Sequence, residues 1–184
     1  PLLISMDAEW GPAQRLSDVF AHPWNMTLGA IQDESLVREI SKRMAEQNKA
    51  LGVHINFSPS VDVNNNSKNP IIGNRSFGED PVNVYKKAKA YIQGHKDVGV
   101  YTSIKHFPGH GDTDKDSHKT LPVISGNMKR LNNVELFPFK RLIEDGLAES
   151  VMLAHLSVPA IDKKYPSSLS VSYTHLTLPT KSGV

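Results

Sequence analysis

Short apolar runs that end in polar clusters set the pattern of this chain. Leu2-Leu3-Ile4-Ser5-Met6 leads into Asp7-Ala8-Glu9, and Val53-His54-Ile55-Asn56-Phe57 ends near Asp62. Tyr101-Thr102-Ser103-Ile104 ends in Lys105-His106, and Ser150-Val151-Met152-Leu153-Ala154 ends at His155. Apolar runs without strict alternation read as strands buried on both faces, as in parallel sheets. Between them, Leu36, Val37, Ile40, Met44 and Leu51 keep helical spacing behind a cap at Asp33 or Ser35. Asp80-Pro81 is a cap followed by proline at the first helical position. Val84, Ala88, Tyr91 and Ile92 carry that face on to Gly94 or Gly99. The stretch from Asn133 to Gly146 reads as a third helix ending at a glycine, with Pro138 disturbing its first turns.

Strands alternating with helices predict an α/β fold with a parallel sheet, and polar residues at the strand C-termini place the site there. No GxGxxG or GxxxxGK[ST] turn follows any strand, which disfavours a nucleotide-binding sheet. A (β/α) barrel is therefore expected. Roughly four strands are visible where a closed barrel needs about eight, so the expectation is a partial (β/α)8 TIM barrel, truncated at both ends. Pro1 stands where no initiator methionine does and reads as a cut edge. Residues 1–170 carry this pattern. The remaining VSYTHLTLPTKSGV has no partner element and resembles the translation of a ligated sequencing adapter, so 171–184 is expected to be a non-native tail.

Composition narrows the classes. With 184 residues, 39% of them hydrophobic, the chain can bury one sizeable core. The formal net charge is +2 with both signs interspersed, which leaves no basic stripe for a phosphate backbone and excludes nucleic acid as the expected partner. No apolar run reaches the length that spans a bilayer. The absence of cysteine rules out disulfides, thiolate zinc sites and cysteine nucleophiles, and does not choose between cytoplasm and periplasm.

The densest chemistry is Lys105 to His118, KHFPGHGDTDKDSH, which packs three histidines, three aspartates and two glycines behind a strand. Gly109 and Gly111 allow positive φ or a close backbone approach. Asp116 and His118 are two apart, so in an extended loop the carboxylate can fix the imidazole tautomer for proton transfer. His106, His110, Asp112, Asp114, Asp116 and His118 are also competent metal ligands, although the EF-hand pattern fails at Ser117 and Val123 and no HExxH is present. A solvated polar loop is the third reading. Of the remaining histidines, His54 and His155 are expected as hydrogen-bonded core groups on strands and His95 as a surface residue on a helix. Asn64-Asn65-Asn66 with Asn69-Pro70 reads as turn chemistry that sets shape.

KHFPGHGDTDKDSH followed by Leu121-Pro122 resembles the signature of the β-N-acetylglucosaminidase branch of glycoside hydrolase family 3, whose catalytic domain is a (β/α)8 barrel. LLISMDAEWGPAQRL resembles the family's strand and turn with aspartate and arginine, and NRSFGEDP its sugar-binding loop. The resemblance implies Asp116 and His118 as the acid/base dyad. It implies Asp7, Arg15, Arg75, Lys105 and His106 as a clamp on the hydroxyls and N-acetyl group of an amino-sugar glycoside. Retaining hydrolysis of terminal N-acetylglucosamine, with no metal and no cofactor, is the activity it implies. The nucleophilic aspartate of that mechanism belongs to a later strand and is absent from this chain, so the chain alone is expected to be inactive. Trp10 replaces a glycine common at that point and offers a stacking surface. A phosphorylase of the same branch, a metal-dependent barrel hydrolase and a non-catalytic sugar-binding protein are the alternatives.

Overall fold

The structure is a computed structural model that describes residues 2–115 and 120–177. Its strands are β1 (Ser5–Met6), β2 (Ile55–Asn56), β3 (Tyr101–Thr102), β4 (Ile104–Phe107) and β5 (Val151–Leu153). Its helices are α1 (Asn25–Gly29), α2 (Glu34–Ala50), α3 (Pro81–Val98), α4 (Met128–Asn133), α5 (Phe137–Glu144) and α6 (Val171–Thr177). β1 pairs with β2 and β2 with β3, all parallel, with Ser5 opposite Ile55 and Ile55 opposite Tyr101. β4 pairs in parallel with β5. The backbone after β2 joins the two ladders, because the Lys105 amide donates to the Pro59 carbonyl and the Val61 amide to the Lys105 carbonyl. The α/β expectation is thus met, with every ladder among the described residues parallel.

Local chemistry explains most boundaries. Asp33 caps α2 by accepting from the Ser35 amide, and Asp80 caps α3 by accepting from the Asn83 amide, with Pro81 in the first turn. Gly99 ends α3 in the left-handed conformation at φ 78°. Gly94 lies inside α3, where α2 crosses so closely that a Cβ would stand 2.4 Å from the Arg38 carbonyl oxygen. The single helix expected over 133–146 is instead two, α4 and α5. Proline lacks an amide and suits a first turn, so a new helix, α5, begins with Pro138 in its first turn.

Two strand expectations are also revised. The 101–104 strand divides at Ser103, whose amide donates to the carbonyls of both Asn56 and Ser58, and it continues to Phe107. Leu2, Leu3 and Ile4 are not buried but 83%, 68% and 45% exposed, because β1 is an edge strand of the described sheet. The core lies between sheet and helices and gathers Leu28, Met44, Phe77, Ile104, Phe107 and Phe139. Phe107 meets Phe139 and Tyr173 of α6 edge to face, with ring centroids 5.2 and 6.4 Å away. Among the described residues no helix is long and apolar enough to cross a membrane.

His95 is a core residue with no exposure, not the surface group expected. Its Nε2 lies 3.0 Å from the Asn56 amide nitrogen and its Nδ1 2.8 Å from the Ser41 hydroxyl. Asn56 can only donate from that nitrogen, so Nε2 accepts and Nδ1 carries the proton. Asn56 also exchanges hydrogen bonds with the backbone amide and carbonyl of Ala8, which ties α3 through β2 to the segment bearing Asp7 and Glu9. Burial pulls the His95 pKa down to about 4 from its ordinary 6.5. As pH falls below 6.5, the unfolded chain therefore binds this proton first and stability is lost, by about 3 kcal/mol in all by pH 4. Urea unfolding at pH 7 and pH 5 should show this loss in the wild type. His95→Asn should be less stable at pH 7 but should lose less between the two pH values.

Candidate active site

The strand ends deliver the charged groups to one place. β1 leads to Asp7 and Glu9, the segment after β2 to Asp62, β4 carries Lys105 and His106, and β5 leads to His155. Lys105 is 1% exposed, and an unpaired ammonium there would be costly. Its Nζ sits 2.8 Å from Asp7 Oδ1 and 2.7 Å from Glu9 Oε1. Arg75 forks onto the equally buried Glu9, with Nε 3.0 Å from Oε2 and Nη2 2.7 Å from Oε1. Arg15 Nη2 lies 2.9 Å from Asp7 Oδ2. The result is one row of alternating charge: Arg15, Asp7, Lys105, Glu9, Arg75.

A sixth and seventh group extend the row. Arg75 Nη2 is 3.2 Å from His106 Nε2, and His106 Nδ1 is 2.7 Å from Asp62 Oδ2. Asp62 has no exposure and also accepts from the His110 amide at 2.6 Å and the Ser60 hydroxyl at 2.8 Å. Burial would raise all three carboxyls, yet their partners hold each below its ordinary value. For Glu9 these are Arg75 and Lys105, and for Asp7 they are Lys105 and Arg15. His106, the His110 amide and Ser60 hold Asp62 far down.

Three cations thus face three carboxylates. A cavity of about 410 Å³ opens over this row, with Met152, Leu153, Ala154 and His155 on the β5 side. Such a site offers fixed donors and acceptors without a net field. That suits a neutral, hydroxyl-rich ligand with an apolar face better than a phosphate or a bare anion.

The loop after β4 is held from below. Gly111 packs so tightly on the segment after β2 that a Cβ would lie 1.8 Å from the Val63 carbonyl oxygen. Asn69 donates its amide to the His110 and Gly111 carbonyls at 2.7 and 3.1 Å, and Asn66 to the Asp112 carbonyl at 3.2 Å. The asparagine run therefore shapes the loop, as turn chemistry suggests. Asp116 and His118, the expected acid/base dyad, lie outside the described residues.

Five predicted residues, Asp7, Arg15, Arg75, Lys105 and His106, come together here. Glu9 and Asp62 are further members, which the sequence reading set at strand ends but gave no role in the site. Glu9 carried a usable signal, since it stands two residues from Asp7 in an extended segment and so faces the same side. His155 is exposed at the cavity rather than in the core, with Nδ1 2.6 Å from the Ser168 hydroxyl. His54 is likewise exposed, accepting from the Ile4 amide through Nδ1. His54 precedes β2 and His155 follows β5, so neither ring is covered by its strand. Trp10 stacks on Trp24 at 3.9 Å between centroids.

Charged side chains gathered over the C-terminal ends of parallel strands are the arrangement in which α/β folds place their sites. Residues 1–182 match the glycosyl hydrolase family 3 N-terminal domain, and the chain belongs to that family. Beta-hexosaminidase A of Pseudoalteromonas piscicida is 36% identical over 88% of this chain and 28% of its own length. The beta-hexosaminidase of Nitrosomonas eutropha is 38% identical over 88% of this chain and 48% of its own. Among solved structures, a glycoside hydrolase family 3 beta-N-acetylglucosaminidase from Paenibacillus sp. str. FPU-7 is 43% identical. It superposes with a TM-score of 0.89 over 94% of this chain and 33% of that one. NagZ from Neisseria gonorrhoeae gives 0.84 at 32% identity, over 94% and 52%. The chain thus spans less than half the length of these curated relatives.

Proposed function

We propose that this chain is part of the (β/α)8 barrel of a retaining β-N-acetylhexosaminidase. The substrate is a terminal non-reducing N-acetylglucosamine of a β-glycoside such as a peptidoglycan or chitin fragment. The observation that carries this reading is the charge-balanced row from Arg15 to Asp62 beneath the cavity. It supplies the mixed donors and acceptors that sugar hydroxyls and an N-acetyl group need, and relatives named beta-hexosaminidase support the same assignment. Asp7, Arg15, Arg75, Lys105 and His106 form the clamp.

Retaining hydrolysis needs an acid on the leaving oxygen and a nucleophile at the anomeric carbon. His118 gives its proton to the glycosidic oxygen, then takes one from water as the glycosyl-enzyme is hydrolysed, and Asp116 orients its ring. The nucleophile is an aspartate on a later strand, outside this chain, as are the strands that complete the barrel beyond β1 and β5. Residues 1–170 form this part of the barrel. Residues 171–184 are an adapter-derived tail, although Tyr173 within it is buried against Phe107. A genomic reading frame running unchanged across Ser170 would remove the tail assignment.

The activity is tested on a chromogenic N-acetyl-β-glucosaminide with two proteins: the 184-residue chain, and a polypeptide that continues through the downstream strands. Turnover by the longer protein alone is expected. Turnover by the chain alone would overturn the missing nucleophile, and none by either would overturn the activity.

A further inference from the structure

Asp62 is the one carboxylate of the row that does not line the cavity, yet it is fully buried and accepts from two side chains and two backbone amides. A carboxylate meeting only donors has to be ionised, because a protonated oxygen would have no acceptor to face. Its partner His106 has a second neighbour that is equally restrictive. Arg75 can donate but never accept, so the His106 Nε2 it approaches at 3.2 Å must present a lone pair. The ring proton then sits on Nδ1 and points at Asp62 Oδ2, 2.7 Å away. The opposite tautomer would set N–H against N–H on one side and lone pair against carboxylate on the other.

We propose that Asp62 is a positioning residue that fixes His106 as its Nδ1–H tautomer, making Nε2 an obligate acceptor toward Arg75 and the cavity. The consequence reaches the ligand through Arg75. Of its five N–H groups, those on Nε and Nη2 go to Glu9 and His106, and one on Nη1 goes to the Ile71 carbonyl. Among the described residues this leaves one Nη1 donor for a bound molecule, aimed by the groups that hold the rest of the fork. Nε2 has one lone pair, so a sugar hydroxyl reaching His106 can only donate to it, and does so in competition with Arg75. Asp62 also accepts from the His110 amide, so the same carboxylate roots the loop that leads toward residue 118. The part concerning sugar rests on the N-acetylglucosaminide reading; the tautomer does not.

Long-range proton–nitrogen correlation spectra of the histidine rings in the 184-residue chain at pH 7 test this without turnover. His106 is expected to show a protonated Nδ1 and an unprotonated Nε2. Asp62→Asn should lose that pattern, since its amide must point a donor either at the ring or at a backbone N–H. Ser60→Ala, which keeps the carboxylate, should retain it. A wild-type His106 protonated at Nε2, an unchanged spectrum in Asp62→Asn, or loss of the pattern in Ser60→Ala would each overturn the proposal. Should Asp62→Asn not fold, the wild type and Ser60→Ala still decide. Failure of the longer polypeptide to hydrolyse the glucosaminide would strike the functional reading and leave this result standing.

Discussion

Glu9→Ala is expected to lower the unfolding free energy by about 3–5 kcal/mol, the usual result of removing one partner from a buried ion pair. Glu9 is 1% exposed and stands between Lys105, equally buried, and the largely covered Arg75. Without it two cations face each other at the floor of the cavity, and Asp7 can answer only Lys105. Natural domains are stable by about 5–15 kcal/mol, so this single change takes a large share of the margin. Glu9→Gln keeps the shape and one acceptor oxygen and should cost less. Urea midpoints at neutral pH measure both. A loss under about 1 kcal/mol for Glu9→Ala, the scale of an exposed pair, would mean that the row is not the buried framework described.

His118→Ala, made in a polypeptide that includes the downstream strands, should lower kcat on substrates with poor leaving groups by roughly 10²–10⁴-fold. A leaving group that departs without a proton should largely escape this loss in the first chemical step. Where breakdown of the glycosyl-enzyme limits the rate, azide should restore turnover, since it attacks without a base. Comparing a dinitrophenyl with an alkyl N-acetyl-β-glucosaminide reads the difference. Equal losses on both, with no rescue by azide, would remove His118 from proton transfer.

Features fixed by neighbours in the chain were legible before the structure. Asp80 and Pro81 start their helix as read, and Asp33 and Gly99 are each one of the two candidates the sequence offered, because capping is local chemistry, set by residues within four positions. The polar groups that follow the strands were legible too, since apolar runs stop where polar residues begin, although the strands are shorter than those runs and the third divides and continues to Phe107. Lys105 and His106 followed from the loop's composition and its resemblance to a family signature, whereas Arg15 and Arg75 were indistinguishable from surface charges on sequence alone. What escaped depends on distant pairing. Asp62 finds His106 across 44 positions, and His95 finds Asn56 across 39. A helix face carrying His95 looks solvated until the strand beneath supplies Asn56. The exposure of Leu2 to Ile4 escaped for the converse reason, because apolar character predicts burial only where a neighbouring element covers it.

In the proposed function an amino sugar sits on the row from Arg15 to Asp62. Titrating the 184-residue chain with N-acetylglucosamine while following its amide and side-chain resonances tests that claim most directly. Saturable shifts confined to Asp7, Arg75, Lys105, His106 and their neighbours are predicted, weaker or absent with glucose and abolished by Lys105→Met. Shifts that map away from the strand ends, or no saturable change at all, would contradict it.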